Sequence, residues 1–232
     1  MLQVEGLSKS YGRGARRKCV LDAIHLRVNE GELVGLVGES GSGKSTLARL
    51  LMRLEMMDAG TITVAEKGAL YNTIQIVFQN ASAALNPTWT VQASLREPLR
   101  LMKGDRDAYI REMLEKVGLN EKHLTRLPSE LSGGERQRVN LLRSLLMQPK
   151  LLICDEIVSS LDRLIQKEIV ELLRKLNEEM GMAMLFISHD LKVVQSLCDR
   201  VYVMEGGRIV EESVKQDGVW NFSHPYARRL FE

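Results

Sequence analysis

LVGLVGESGSGKSTLARLL, residues 33–51, is the stretch on which the reading turns. LVGLVG is an apolar run without alternation, the pattern of a strand buried on both faces in a parallel sheet. GESGSGKS, residues 38–45, matches G-x-x-x-x-G-K-[ST], and from Lys44 to about Leu54 the apolar positions Leu47, Leu50 and Leu51 recur at helical spacing. Strand, glycine loop and helix in that order predict a phosphate-binding loop. Its glycines let successive backbone N–H groups curl around a β-phosphate, Lys44 sets an ammonium between β- and γ-phosphates, and the Ser45 hydroxyl ligates Mg²⁺. The candidate phosphate-binding residues are Gly38, Glu39, Ser40, Gly41, Ser42, Gly43, Lys44, Ser45 and Thr46.

LLICDE, residues 151–156, is the second signal. Four apolar residues bury a strand and deliver two acids at its carboxyl end, the edge at which open α/β sheets bind ligands. Asp155 is the candidate for Mg²⁺, through water, and Glu156 for polarising or deprotonating a water that faces the γ-phosphate. His189, in FISHD, follows the next buried strand and emerges on the same edge, where it bonds the γ-phosphate or holds the attacking water. Gln79 ends the strand IQIVFQ and is placed to reach Mg²⁺ or water, whereas His25, His123 and His224 have no such position. The second half alternates strand 150–155, helix 161–180, strand 182–187, helix 190–197 and strand 200–204, which predicts a parallel sheet with right-handed crossovers. Leu161, Ile165, Ile169, Leu172, Leu173 and Leu176 form one apolar stripe for packing on that sheet. Ahead of the loop, residues 2–7 and 19–28 carry short alternating strand patterns. Residues 86–127 turn helical, with Met113, Leu114 and Val117 on one face and Gly118 as a stop, and read as an insertion.

Bulk composition narrows the class. The 232 residues are 44% hydrophobic and 27% charged, with a net charge of +2, which excludes disordered and fibrous chains and argues against a nucleic-acid partner. The apolar runs fall far short of the roughly 20 residues that span a bilayer, and no signal-peptide pattern follows Met1, so a cytoplasmic chain is expected. Cys19, Cys154 and Cys198 lack the count and spacing of a disulfide framework or zinc site and read as buried or incidental thiols. GRGARRK, residues 12–18, reads as a solvated basic hairpin loop.

LSGGERQRV, residues 131–139, poses a separate question, because glycine in a helix costs about 1 kcal/mol against alanine and two stand together here. A helix start that must approach an anion closely supplies a reason for both Gly133 and Gly134. The phosphate loop upstream already has an anion, so this turn needs another.

Taken together, these motifs resemble the ATP-binding subunits of ABC transporters. GESGSGKST is similar to that family's Walker A loop, Gln79 to its Q-loop glutamine, LSGGERQRV to its signature, LLICDE to its Walker B strand with the following glutamate, SSLD (residues 159–162) to its D-loop, and His189 to its switch histidine. Tyr11, in SKSYG, matches the position whose aromatic ring stacks on adenine. The resemblance implies an α/β phosphate-loop ATPase core with a mainly parallel sheet, an N-terminal antiparallel β-subdomain and an inserted α-helical subdomain at about residues 86–145, all in one ATP-binding domain. It also implies ATP and Mg²⁺ as cofactors, and a second ATPase subunit, self or paralogue, paired head to tail so that Ser132, Gly133 and Gly134 face the γ-phosphate of ATP held by the partner.

A narrower resemblance is to importers of dipeptides, oligopeptides and nickel, carried by IQIVFQNASAALNP, PSELSGGERQRV and HPYARRL. It implies a bacterial importer subunit at the cytoplasmic face of the membrane, bound to a separate permease near Gln79 and the inserted helices, and served indirectly by a solute-binding protein. The D-loop reads SSLD where SALD is commoner, Ile157 replaces a small residue or proline, and the stretch between Gly60 and Thr73 is short for the branch. The rival is a non-transport ATPase of the same motif set, in DNA repair or translation. A repair relative has a long coiled coil between Q-loop and signature, and a translation relative has two cassettes in one chain; neither pattern fits.

Overall fold

In a computed structural model, which describes residues 1–64, 73–159 and 161–232, the chain opens with a hairpin. Strand β1 (Leu2–Tyr11) runs antiparallel to β2 (Lys18–Val28), with Leu2, Val4, Leu21, Ile24, Leu26 and Val28 buried and alternating with less buried neighbours. The basic loop between them contains a 3₁₀ turn at Gly14–Arg16. Strand β3 (Leu33–Val37) and helix α1 (Lys44–Leu51) follow, and then β4 (Ala59–Val64) returns to pair with β1, giving a three-stranded sheet ordered β2-β1-β4. The strand patterns do not include β4. Helical spacing carries α1 to Leu54, whereas Arg53 turns left-handed at φ +53° and the Leu54 N–H donates back to the Arg49 carbonyl at 2.9 Å. Such a stop usually carries glycine and here does not, so it leaves no mark in the sequence.

Strand β5 (Ile74–Val77) leads through the short helices α2 (Ala81–Ala84) and α3 (Val91–Arg96) to α4 (Arg106–Lys116) and α5 (Gly133–Leu145). The helix α4 ends as the sequence suggested, with Met113, Leu114 and Val117 buried and Gly118 at φ +71°. Then come β6 (Leu151–Asp155), α6 (Arg163–Met180), β7 (Ala183–Ile187), α7 (Leu191–Leu197), β8 (Arg200–Glu205), β9 (Arg208–Val214) and α8 (Pro225–Phe231). Asp162 lies outside α6 as its cap, its carboxylate accepting from the Leu164 and Ile165 N–H groups at 3.1 Å each. Residues 65–72, which hold most of the short stretch before Thr73, and Ser160 of SSLD lie outside the described residues.

These strands make a second sheet ordered β5-β6-β7-β3-β8-β9, parallel from β5 to β8 and antiparallel at β9. The parallel alternation was legible, but β3 inserts between β7 and β8, and β9 and α8 went unread. The pleat explains why uninterrupted apolar runs were required. Val34, Leu36, Leu151, Ile153, Leu185 and Ile187 face α1 and the antiparallel sheet, while Val37, Leu152, Cys154, Met184 and Phe186 face α6, α7 and the inserted helices. On α6, Ile169, Leu172, Leu173 and Leu176 are buried, and Leu161 and Ile165 pack at the edge of the same core. Cys154 and Cys198 are buried and Cys19 is exposed. Among the described residues no helix is long and apolar enough to cross a membrane.

Arg200 staples the two sheets. At 3% exposure it donates to Glu32 at 2.7 and 2.5 Å, to Glu212 at 2.8 Å, to the Tyr202 hydroxyl at 2.9 Å and to the Arg27 carbonyl on β2 at 3.0 Å. Removing it leaves two partly buried carboxylates, the Tyr202 hydroxyl and the Arg27 carbonyl without this donor. Arg200→Ala is therefore expected to lower stability by about 3–5 kcal/mol in urea melts, and a parental midpoint would show that the sheets hold together without it.

Candidate functional site

The carboxyl ends of β5, β6, β7 and β3 lie along one edge, because all four strands are parallel. Residues distant in sequence meet there. The glycine loop leaves β3 at Gly38, where φ is +154° and an added Cβ would lie 2.1 Å from the Met204 carbonyl oxygen. Gly43 caps α1 at φ +109°, where a Cβ would stand 2.7 Å from Leu21. Between them Glu39, Ser40 and Gly41 are exposed and Ser42 is buried, and beyond Gly43 Lys44 and Thr46 are buried and Ser45 is half-buried. Lys44 folds its ammonium back across the loop, donating to the Gly38 carbonyl at 2.7 Å, the Glu39 carbonyl at 2.9 Å and Ser42 Oγ at 3.5 Å. Burial pushes its pKa down, with the Glu156 and Asp155 carboxylates opposing.

Asp155, at the end of β6, accepts from Ser45 Oγ at 3.4 Å and is 8% exposed. Burial pushes its carboxyl up, and the bond from Ser45 only partly offsets this. Glu156 follows with φ +52°, a sparsely populated conformation for a residue with a side chain, held by donation of its N–H to the Ile187 carbonyl at 2.9 Å. This bend aims the carboxylate at His189, whose Nδ1 lies 3.4 Å from Glu156 Oε2 while the ring stays largely exposed. Gln79 donates to Ser159 Oγ at 3.0 Å, and Ser159 Oγ donates to the Glu156 carbonyl at 2.9 Å. The glutamine is thus tied to the turn at Glu156 through Ser159, the first residue of SSLD, a contact that the sequence does not mark. Tyr11 ends β1 half-exposed, its hydroxyl donating to Glu55; Glu55 pairs with Arg49 at 2.5 Å, and Arg49 donates to Thr46 Oγ1 at 3.3 Å. The ring is thereby linked to the helix that carries the phosphate loop.

The turn Ser132–Gly134 sits elsewhere. Ser132 caps the 13-residue α5: its Oγ accepts from the Glu135 N–H at 3.2 Å, and its own N–H donates to Glu135 Oε2 at 2.7 Å. Gly133 borders a cleft of about 470 Å³ lined also by Gln79, Arg136 and Leu161, and none of residues 38–46 lines it. The two glycines differ. A Cβ on Gly133 would meet nothing closer than Leu161 at 3.9 Å, whereas one on the buried Gly134 would fall 2.9 Å from Ile165 Cγ2, a stiff β-branched side chain on α6. Close approach to an anion was the reason read for both, and helix packing within the chain suffices for Gly134. His123, which has no position at the strand edge, is buried and its Nε2 lies 3.2 Å from Glu135 Oε1, while Nδ1 accepts the Asn120 N–H at 3.1 Å. Nothing in the spacing marks that contact, since the two residues come from separate turns.

Comparison with known proteins bears on the arrangement. The family model described as ABC transporter matches residues 21–159, more than half of the chain. The chain belongs to the ABC transporter family. This ABC ATPase is 43% identical to the nickel import ATP-binding protein NikE of Escherichia coli (strain K12) over 233 residues, 92% of this chain and 87% of that protein. It is 39% identical to the oligopeptide transport ATP-binding protein OppF of Streptococcus mutans over 246 residues, 99% of this chain and 80% of that protein. Its fold superimposes on the ATP-binding cassette MJ0796, solved as a dimer bound to ADP and phosphate, with a TM-score of 0.81 at 28% identity over 92% of this chain and 98% of that one. It also superimposes on cbiO1 from Clostridium perfringens, part of the complex cbiONQ, with a TM-score of 0.81 at 29% identity over 91% and 87%. The expected ATPase core and antiparallel N-terminal sheet are those of the family.

Two outcomes follow for the ABC ATPase. A raised Asp155 pKa means that the folded state binds this proton more tightly than the unfolded chain, so the stabilisation is full below the unfolded value and lost as pH rises through the folded one. Asp155→Asn without nucleotide is expected to melt above the parent at pH 7, with the difference vanishing below about pH 4, as followed by calorimetry; a lower melting point at pH 7 contradicts the burial argument. Gly134→Ala is expected to lose about 1–3 kcal/mol of stability. Combined with Ile165→Ala it should lose less than the sum of the two single changes, and strict additivity would mean that the two positions do not press on each other.

Proposed function

We propose that this ABC ATPase powers uptake of nickel or short peptides through a separate membrane permease, working at the cytoplasmic face as half of a head-to-tail ATPase pair. The observation that carries the reading is the division of the phosphate-binding elements. Lys44 is spent on the carbonyls of its own loop, at 2.7 and 2.9 Å, while the capped start of α5 opens on a cleft that loop does not line. One chain supplies two half-sites, and a second subunit, self or paralogue, completes each. NikE and OppF carry nickel import and oligopeptide transport in their names, and this supports the cargo. The permease would meet the surface near Gln79 and the helices between β5 and α5, with a solute-binding protein delivering cargo on the far side.

On ATP binding, Tyr11 stacks on adenine and residues Gly38 to Thr46 wrap the phosphates with backbone N–H groups. Lys44 exchanges the Gly38 and Glu39 carbonyls for β- and γ-phosphate oxygens, which offsets the burial that depresses its pKa. Ser45, Asp155 and Gln79 would hold Mg²⁺, and the fit is good: a buried carboxylate beside a hydroxyl is disfavoured as an anion until a cation arrives. When bound, the ion neutralises charge on the phosphates. Ser132, Gly133 and Gly134 of the partner face the γ-phosphate, where the start of α5 adds its dipole. Glu156 takes a proton from the attacking water as its oxygen bonds the γ-phosphorus and the bond to the β-phosphate oxygen breaks. His189 leaves Glu156 for the γ-phosphate and orients the attack. Loss of the γ-phosphate removes the contact with the partner's α5 and lets the pair reopen.

Glu156→Gln keeps the shape of the base and removes its proton affinity. It is expected to bind ATP, to lower turnover by at least ~100-fold and to accumulate an ATP-held dimer by light scattering; parental steady-state hydrolysis would overturn the assignment.

A further inference from the structure

HPYARRL, residues 224–230, has no part in the chemistry described so far. In the fold it forms α8, and α8 touches the phosphate loop. The Glu39 N–H donates to the Tyr226 hydroxyl at 3.1 Å across 187 positions of sequence. That N–H belongs to the same peptide unit as the Gly38 carbonyl, which accepts from Lys44 at 2.7 Å. In a planar trans peptide the two groups point opposite ways. The unit is therefore gripped on both sides, by the phosphate-binding lysine within the loop and by a tyrosine from behind it.

Tyr226 is well placed to grip. It is 5% exposed, with its ring in the core shared by α6 and α7, so the hydroxyl reaches the loop from inside the protein. The helix α8 is seated on β9 by Glu211, whose carboxylate accepts the Ser223 N–H at 2.5 Å, the Ser223 hydroxyl at 2.8 Å and the His224 N–H at 3.0 Å. Phe231 at its far end stacks on Phe222 with ring centroids 4.2 Å apart. The strand β9 pairs with β8, whose Met204 carbonyl leaves no room for a side chain at Gly38. The contacts at Gly38 and Glu39 thus both come from the last quarter of the chain.

We propose that Tyr226 is a positioning residue for the phosphate loop, and that β9 and α8 form a brace that sets the loop's affinity for ATP. The hydroxyl holds the Gly38–Glu39 peptide in the orientation that offers its carbonyl to Lys44. Without that bond the peptide is free to rotate, and the ordering of the loop falls on the nucleotide at the moment of binding. Glu156 and His189 stand on other strands, so the chemical step is untouched. The inference rests on the assignment of residues 38–46 to the phosphates.

Tyr226→Phe removes one oxygen and keeps the ring. With ATP and Mg²⁺ as the probe, Kd by titration calorimetry and KM for hydrolysis are expected to rise about fivefold, the factor carried by one net hydrogen bond. The rate constant kcat should stay within about twofold. Amide exchange of residues 38–46 in the nucleotide-free protein should quicken while the melting temperature falls by no more than about 4 °C. Glu211→Ala, which loosens the seat of α8 without touching the ring, should raise Kd in the same direction. Parental Kd and parental loop exchange in Tyr226→Phe overturn the brace, as does a fall in kcat that tracks a collapse in melting temperature. Failure of the parent chain itself to bind ATP would instead sink the loop assignment, so the two failures are separable.

Discussion

Parallel hydrogen bonding of β3 between β7 and β8 is the constraint on which the site depends. A parallel sheet aligns strand ends, so everything delivered at a carboxyl end arrives at one edge. β3 delivers the glycine loop of residues 38–46, β6 delivers Asp155 and Glu156, β7 delivers His189, and β5 delivers Gln79. The register matters at close range: Gly35 pairs with Phe186 on one side and Val201 on the other, which places Lys44 and Ser45 within reach of residues more than a hundred positions away. A slip of one residue would turn every inward side chain to the other face and leave Asp155 in a different layer.

Electrostatics at that edge are balanced against nucleotide-free stability. Lys44 and Asp155 are both buried, and burial shifts each toward its neutral form, the lysine down and the aspartate up. The chain tolerates this because Lys44 finds carbonyl acceptors and Asp155 finds Ser45. Desolvation set up during folding is thus offset by hydrogen bonds to neutral partners.

The signature turn shows how one motif serves two masters. Ser132 and Glu135 satisfy each other's N–H groups and leave the start of α5 ordered without any ligand. Gly134 is spent on the approach of α5 to Ile165, which ties the turn to α6 and so to the segment that follows Glu156. Gly133 remains open to the cleft. His123 and Asn120 extend the support one turn further into the helices between β5 and α5, so the turn is braced by the segment that precedes it.

The amino-acid sequence determined the strand–loop–helix of residues 33–51, the buried acids of LLICDE, the signature and the apolar stripe of α6, because each is a local pattern whose spacing is itself the physical requirement. Tertiary structure alone decided the rest. The insertion of β3 between β7 and β8, the return of β4 to β1, the stop of α1 at a left-handed Arg53, and the contacts of Ser159 with Gln79, His123 with Glu135 and Tyr226 with Glu39 all join segments that pattern treats separately. Periodicity reports which face of an element is apolar, but a hydrogen bond between distant turns is set only when packing brings their backbones within about 3 Å.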